Sequence, residues 1–239
     1  MKYVYGPVKS RRLGLSLGIS IIGHKSCNFD CVYCQLGKTT NKTDEIKEYA
    51  KTEDVLAELK EFLCNRKEEI SSLNYITLSG SGEPTLNIRI GELIPKIKEI
   101  SSLPVAVITN SALLIDERVR QSLFNADLVI PSLDAAEQDV FNKINQPVGN
   151  LKIEDIIESL IKLRREFKGK IWLEVMLIRG INDKLGHIRK LKAVVEKINP
   201  DKIQLNSPVR LSSESNILPA SKKKLAQFKE ILGDKCEII

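Results

Sequence analysis

The feature that most restricts how this chain can fold is its alternation. Short apolar, β-branched runs at residues 15–22, 75–78, 105–109, 128–130, 171–177 and 202–205 read as buried strands. Between them lie stretches whose apolar residues recur at helical spacing. From Thr52, an N-cap candidate followed by Glu53 and Asp54, the residues Val55, Leu56, Leu59, Phe62, Leu63 and Ile70 share one helical face. Helices are expected likewise over 88–100, from Asp116, and over 137–144, 153–167, 184–198 and 222–232. Six β-then-α units in succession predict an α/β fold: a parallel sheet covered by helices, curved into a barrel or lying flat and doubly wound. A complete eight-unit barrel takes about 250 residues. This chain has 239 residues and six recognisable strands, so a partial (β/α)6 barrel fits better. One domain is expected over 1–239, entered through a basic loop at 1–14 and carrying a long polar segment at 23–51.

In either architecture chemistry collects in loops that leave the C-terminal ends of the strands. The polar and glycine-bearing segments fall there: the cysteines after the first strand, 80–85 after the second, Thr109 and Asn110, Ser132 and Asp134, 179–183, and 206–210. No apolar stretch approaches the ~20 residues of a membrane span, and no charged-then-apolar leader opens the chain, so a soluble, cytoplasmic protein is expected.

Three of the five cysteines crowd together as Cys27, Cys31 and Cys34, while Cys64 and Cys236 stand apart. That is a metal-binding pattern rather than a disulfide framework, and it suits a reducing compartment. A structural zinc site needs four protein ligands, and His24 is placed to be the fourth. A four-iron cluster held by three cysteines instead keeps one iron open for a substrate or cofactor. Spacing leaves both open. The net charge of +6 is uneven, because residues 1–40 hold Lys2, Lys9, Arg11, Arg12, Lys25 and Lys38 against Asp30 alone. A positive field therefore surrounds the cysteines, able to offset an anionic cluster, attract a phosphate-bearing ligand, or remain solvated surface.

CxxxCxxC, with Tyr33 just before its last cysteine and directly after the first strand of a βα array, resembles the radical S-adenosylmethionine (SAM) enzymes. The resemblance extends to Gly80-Ser81-Gly82-Glu83-Pro84 and to Ser132-Leu133-Asp134. It implies that Cys27, Cys31 and Cys34 ligate a [4Fe-4S] cluster whose fourth iron is chelated by SAM. It further implies one-electron cleavage of SAM to a 5′-deoxyadenosyl radical that abstracts hydrogen from substrate. By the same resemblance Gly80 and Gly82 let backbone approach the methionyl amino group, Glu83 steadies that turn, Ser132 and Asp134 approach the ribose or carboxylate, and Tyr33 packs on adenine. Asn110 lies on the same rim, as do Thr109, the 180–183 turn and Asn206, although Asn and Asp also favour turns for local reasons.

The opening 5–14, the CNFDCVYCQLG segment and Pro131-Ser132-Leu133-Asp134-Ala135 resemble small proteins grouped with wyosine-synthase-like iron–sulfur oxidoreductases. True wyosine synthases carry further cysteines for a second cluster, and this chain has no second cysteine group. The substrate is left unidentified, with RNA or a phosphate-bearing small molecule expected, since Arg11 and Arg12 could grip a phosphate. An electron donor such as flavodoxin or ferredoxin is implied. An activating enzyme that installs a radical on a partner protein and a zinc-stabilised nucleic-acid-binding module are the alternatives. Cys64 and Cys236 are expected to be ordinary buried cysteines, His187 and Lys222–224 surface groups, and Trp172 a packing residue.

Overall fold

The structure, a computed structural model, describes residues 1–23, 25–210 and 212–239. In chain order its elements are β1 (Val4–Ser10), β2 (Gly14–Ile19), β3 (Ser26–Cys27), β4 (Asn41–Lys42), α1 (Thr52–Asn65), α2 (Lys67–Ile70), β5 (Tyr75–Leu78), α3 (Ile90–Ile100), β6 (Val105–Thr109), α4 (Glu117–Ser122), β7 (Leu128–Pro131), α5 (Gln138–Asn145), α6 (Ile153–Glu166), β8 (Lys170–Met176), α7 (Leu185–Ile198), β9 (Lys202–Asn206), α8 (Lys222–Leu232) and β10 (Cys236–Ile238). All but the β3–β4 pair join one eight-stranded sheet in the order β1-β2-β5-β6-β7-β8-β9-β10. The six expected strands are its middle, parallel throughout.

Two strands of this sheet were not expected, nor was the short β3–β4 pair. The basic N-terminal loop is instead β1 and a tight turn, with β1 antiparallel to β2. Gly6 and Pro7 interrupt any strand signal there, and they are tolerated because an edge strand needs ladder bonds on one side only. The segment is anchored by Glu58 of α1, whose carboxylate accepts the backbone N–H groups of Lys2, Tyr3 and Val4 at 2.9, 2.8 and 2.7 Å. At the other edge β10 adds in parallel to β9, so Cys236 is a buried strand residue.

Alternation along each strand separates two cores. One face of the sheet, with Leu17, Ile76, Leu78, Val105, Val107, Val129, Leu173 and Ile203, packs against the helices. The other carries Ala106, Leu128 and Ile130, joined by Leu13 from the β1–β2 turn and by Tyr75, Ile108 and Trp172. Tyr75 on β5 and Trp172 on β8 meet edge to face at 6.2 Å with two strands between them. Strands lie about 4.8 Å apart, so rings three spacings away touch only on the concave side of a curled sheet. The sheet is a half-barrel, as expected, with its hollow on this second face.

Several finer expectations change. Thr52 is the first residue of α1 rather than its cap, and Ile70 belongs to the separate α2. Asp116 does cap α4, accepting from the Arg118 N–H at 2.8 Å. Cys64 is exposed. His187 is buried, its Nδ1 3.1 Å from Glu137 Oε2, because α7 docks its first turn onto the start of α5. Trp172 packs, as expected. Among the described residues no helix is long and apolar enough to cross a membrane.

Candidate active site

The cysteine segment leaves β2 and crosses the C-terminal mouth of the half-barrel, where two sets of backbone bonds hold it. On one side Asp30 N and Val32 N donate to Asn145 O and Ile144 O, and Val148 N donates to Asn28 O, so the loop caps the C-terminal carbonyls of α5. On the other, β3 pairs with β4, Thr43 N donates to Cys27 O, and Thr39 donates to Asp30 Oδ1 and to Phe29 O. The first part of the long 35–51 loop is thus tied to the cysteines. From above, Ser213 Oγ lies 2.8 Å from both Cys31 O and Val32 O.

Cys27, Cys31 and Cys34 are all half-buried. Cys27 Sγ accepts the Phe29 N–H and Asn110 Nδ2, each at 3.4 Å. Cys31 Sγ accepts Asn145 Nδ2 at 3.4 Å. Burial pushes the Cys27 thiol up to about 12, helped by the charge of Glu83, and burial pushes Cys31 well up too. Sulfurs so removed from water become thiolates only beside a cation, and the N–H groups already aimed at them are the donors an anionic metal–sulfur centre uses. Among the described residues no three His, Cys, Asp or Glu side chains close on a point where a single ion would sit. His24, the candidate fourth zinc ligand, lies outside the described residues. A multinuclear centre that takes one thiolate at each of three corners fits what is present.

The second loop is held against this one. Gly82 allows it, since a Cβ there would lie 2.0 Å from Ser26 O. Gly80, at φ +120°, would place its Cβ 2.7 Å from the Ser20 side chain. The space these glycines spare is therefore filled by the chain's own β2–β3 segment. Ser81 N donates to Ser20 Oγ and Glu83 N to Ser26 O, each at 3.1 Å. Glu83 is buried, and its Oε1 accepts Thr85 N, Thr85 Oγ1 and Thr109 Oγ1 while Oε2 accepts Asn110 N at 2.8 Å. Burial raises its pKa and these donors oppose the rise. Glu83 is the joint between the glycine turn and the end of β6.

Asp134 joins the far side. Its Oδ2 accepts Tyr33 Oη at 2.6 Å and Asn145 Nδ2 at 2.8 Å, and Oδ1 accepts Met176 N at 2.9 Å. Burial lifts it to about 6 against those three donors. Tyr33, also lifted by burial and by Asp134, has its hydroxyl committed here. Ser132 is half-exposed on the rim, and its carbonyl accepts Ser111 Oγ at 2.8 Å. Cys27, Cys31, Tyr33, Glu83, Asn110 and Asp134 are thus linked around one mouth.

Residues 21–191 match the family described as Radical SAM superfamily. The chain belongs to it. The sequence is 41% identical to a Brachyspira hyodysenteriae protein named GTPase Obg, across 99% of this chain and 34% of that protein. It therefore spans about a third of that relative's length. It is 38% identical to a UPF0026 protein of Methanocaldococcus jannaschii, across 98% of this chain and 73% of that one. Among solved structures, a radical SAM methyltransferase from Sphaerobacter thermophilus aligns with TM-score 0.69 at 17% identity, over 94% of this chain and 65% of that one. TYW1 with a lysine-pyruvate adduct bound aligns with TM-score 0.65 at 22% identity, over 91% and 72%. As a radical SAM protein the chain is an enzyme that uses a [4Fe-4S] cluster and SAM.

Three site-forming residues escaped the sequence reading. Asn28 and Asn145 carry no signal beyond being polar, yet Asn28 accepts Asn110 Nδ2 at 2.6 Å and Asn145 links Cys31 to Asp134. Glu174 had a signal. It is the lone acid inside an apolar strand, and a carboxylate so placed needs a partner. That partner is Arg12, whose Nε and Nη2 reach it at 2.9 and 2.6 Å. Of the two arginines expected to grip phosphate, Arg12 is committed to an internal pair and Arg11 is exposed.

Proposed function

We propose that Cys27, Cys31 and Cys34 hold the [4Fe-4S] cluster, and that SAM lies between the glycine turn and Asp134. In this reading Gly80, Gly82 and Glu83 shape the amino-acid end of that pocket, Asn110 and Ser132 line its rim, and Tyr33 and Asp134 close it. The observation that carries it is the pair of side-chain amides, Asn110 and Asn145, aimed at two of the three sulfurs from the ends of β6 and α5. When bound, the cluster and SAM supply one-electron cleavage of a carbon–sulfur bond and abstraction of a substrate hydrogen atom. The chain's own part is positioning. Burial of Glu83 and Asp134 keeps water from the pocket, and the backbone straps on the cysteine loop fix the approach of SAM over the hollow of the half-barrel. The substrate then occupies that hollow and is an RNA- or nucleotide-derived molecule, with reduction by flavodoxin or ferredoxin in the cytoplasm.

The test is anaerobic reduction with dithionite in the presence of SAM. The wild type is expected to bind about four iron and four sulfide and to form 5′-deoxyadenosine. Cys31→Ala is expected to lose both, and 5′-deoxyadenosine at the wild-type level from that variant would overturn the assignment.

A further inference from the structure

Most sides of the cysteine loop are covered by the chain itself. α5 meets it through Asn145 and Ile144, the glycine turn through the bond from Glu83 N to Ser26 O, and Ser213 closes on Cys31 O and Val32 O. The stretch after Cys34 is different. Gly37 N donates to Cys34 O at 3.1 Å, so residues 34–37 form a tight turn with Gln35 and Leu36 at its two corners. Both are exposed, as are Lys38 and residues 40–42. Leu36 is 50% exposed although it lies two residues from a cysteine, their Cα atoms no more than about 7 Å apart. Arg210 Nη1 donates to Gln35 Oε1 at 2.7 Å and so brings its neighbour Val209, 64% exposed, to the same turn.

The uneven charge of the sequence also acquires a place here. Arg12 pairs with Glu174, Arg11 spans the hollow to the main-chain oxygen of Ile239 beside β10 at 3.2 Å, and Lys25 has its Nζ buried. Lys38, Lys42 and Arg210 remain. All three are exposed, and none forms an ion pair among the described residues. Lys42 is paired opposite Cys27 in the β3–β4 ladder, and Lys38 follows Leu36 by two residues. From Cys31 to Thr43 the chain has no acid. The two acids that touch the loop are engaged: Asp30 accepts Thr39 N at 2.7 Å, and Glu214 accepts Gln146 Nε2 at 3.1 Å. Three uncancelled cations around two exposed aliphatic side chains, beside residues assigned to a redox centre, make up a small electron-transfer interface. Such interfaces bury less than about 1,200 Å², and their charged rim steers a complementary partner into place.

We propose that the turn after Cys34, with Val209 and Arg210, is the docking face for an acidic flavodoxin. Leu36 and Val209 meet the apolar dimethylbenzene edge of its flavin, and Lys38, Lys42 and Arg210 meet carboxylates around that edge. This rests on the assignment of Cys27, Cys31 and Cys34 to the cluster. The flavin's fully reduced anion gives one electron to the cluster and becomes the neutral radical, keeping its N5 proton, so no proton crosses the interface.

The experiment is anaerobic calorimetry of the reconstituted protein with an oxidised, acidic bacterial flavodoxin. Stopped-flow mixing with the fully reduced flavodoxin then gives the rate of cluster reduction, and dithionite, which needs no docking, drives 5′-deoxyadenosine formation in the same samples. The wild type is expected to bind flavodoxin with an affinity that falls as salt is raised. Lys38→Glu/Arg210→Glu should weaken binding and slow flavodoxin-driven reduction ten-fold or more, while iron content and dithionite-driven 5′-deoxyadenosine stay within two-fold. Leu36→Ser should weaken binding three-fold or more even at high salt. Lys168→Glu/Lys170→Glu, at the N-terminal end of β8 and so away from the mouth, changes the net charge equally and should do neither. Equal losses from the two double variants, or unaltered binding by Lys38→Glu/Arg210→Glu, overturn the proposal. Tighter binding of an acidic ferredoxin than of flavodoxin overturns the choice of a flavin. Dithionite-driven 5′-deoxyadenosine without salt-sensitive flavodoxin binding sinks this proposal alone. Binding that depends on Lys38 and Arg210, with no 5′-deoxyadenosine from the wild type, sinks the cluster assignment and leaves the docking face standing.

Discussion

At the scale of single residues the two carboxyl groups beside the cysteine loop, Glu83 and Asp134, are buried and held by neutral donors rather than by a counter-ion. Asp134 is the clearest case. In the metal-free protein its carboxyl titrates near 6, above the ordinary 3.8, because burial outweighs the bonds from Tyr33, Asn145 and Met176. The folded chain therefore binds this proton more tightly than the unfolded chain does, and unfolding releases it between those values. Stability contributed by the protonated form is fully present below about pH 4 and is lost as the pH rises through 6, by about 3 kcal/mol for two units. Urea denaturation of the metal-free protein from pH 4 to 7 should show this loss, and Asp134→Asn should flatten it. An unchanged slope in that variant would assign the titration elsewhere. Asn145 makes a second prediction. Asn145→Ala removes an N–H aimed at Cys31 Sγ, and such bonds stabilise the more negative, reduced cluster. Losing a bond worth about 1.4 kcal/mol between the two oxidation states lowers the one-electron potential by about 60 mV. Redox titration followed by electron paramagnetic resonance reads that shift directly.

At the scale of elements the site depends on loops that touch through glycine. Gly82→Ala puts a methyl group against Ser26 O, where Glu83 N now donates. To relieve the clash β3 must move, and Cys27 moves with it. A cost of about 1–3 kcal/mol is expected from such overpacking, with iron and sulfide content after anaerobic reconstitution falling by half or more. Gly186→Ala is the control, because a Cβ there meets nothing within 4 Å. Elements also show what a single sequence discloses. The six central strands were legible because each is largely buried and reads as a mostly apolar, β-branched run between helices. β1 was not, since an edge strand carrying Gly6 and Pro7 has no such run, and β10 has only three residues. The cysteines stood out by their crowding and the glycine turn by the family resemblance, and the structure brings the two loops together. Asn28 and Asn145 did not stand out, because a side-chain amide has the same appearance in a chain whether it faces solvent or a sulfur. His187 was misjudged for a related reason: the first turn of a helix is usually solvated, and only the docking of α7 on α5 buries it.

At the scale of the whole molecule a half-barrel has two free edges and a hollow, and the β1–β2 turn secures all three. Its central contact is the Arg12–Glu174 pair, in which the carboxylate side chain is 4% exposed and the guanidinium side chain 27%. That asymmetry decides what each truncation does. Arg12→Leu strands a buried carboxylate whose remaining side-chain donor is Asn206 Nδ2, at 2.8 Å, and should cost about 3–5 kcal/mol. Glu174→Leu leaves an arginine that can turn its head to water, and should cost less. Joining the two substitutions replaces the pair by apolar side chains and strands no charge, so the double variant is expected to recover most of the loss. Urea denaturation of the four proteins gives the coupling energy. Hydrogen exchange at the Leu13 amide in the turn and the Ile239 amide at the far edge tests its reach. If the turn clasps the two edges, Arg12→Leu speeds exchange at both positions and the double variant slows it again at both. Exchange quickened at Leu13 alone would mean that the turn merely rests on the hollow, and that β9 and β10 hold their edge without it.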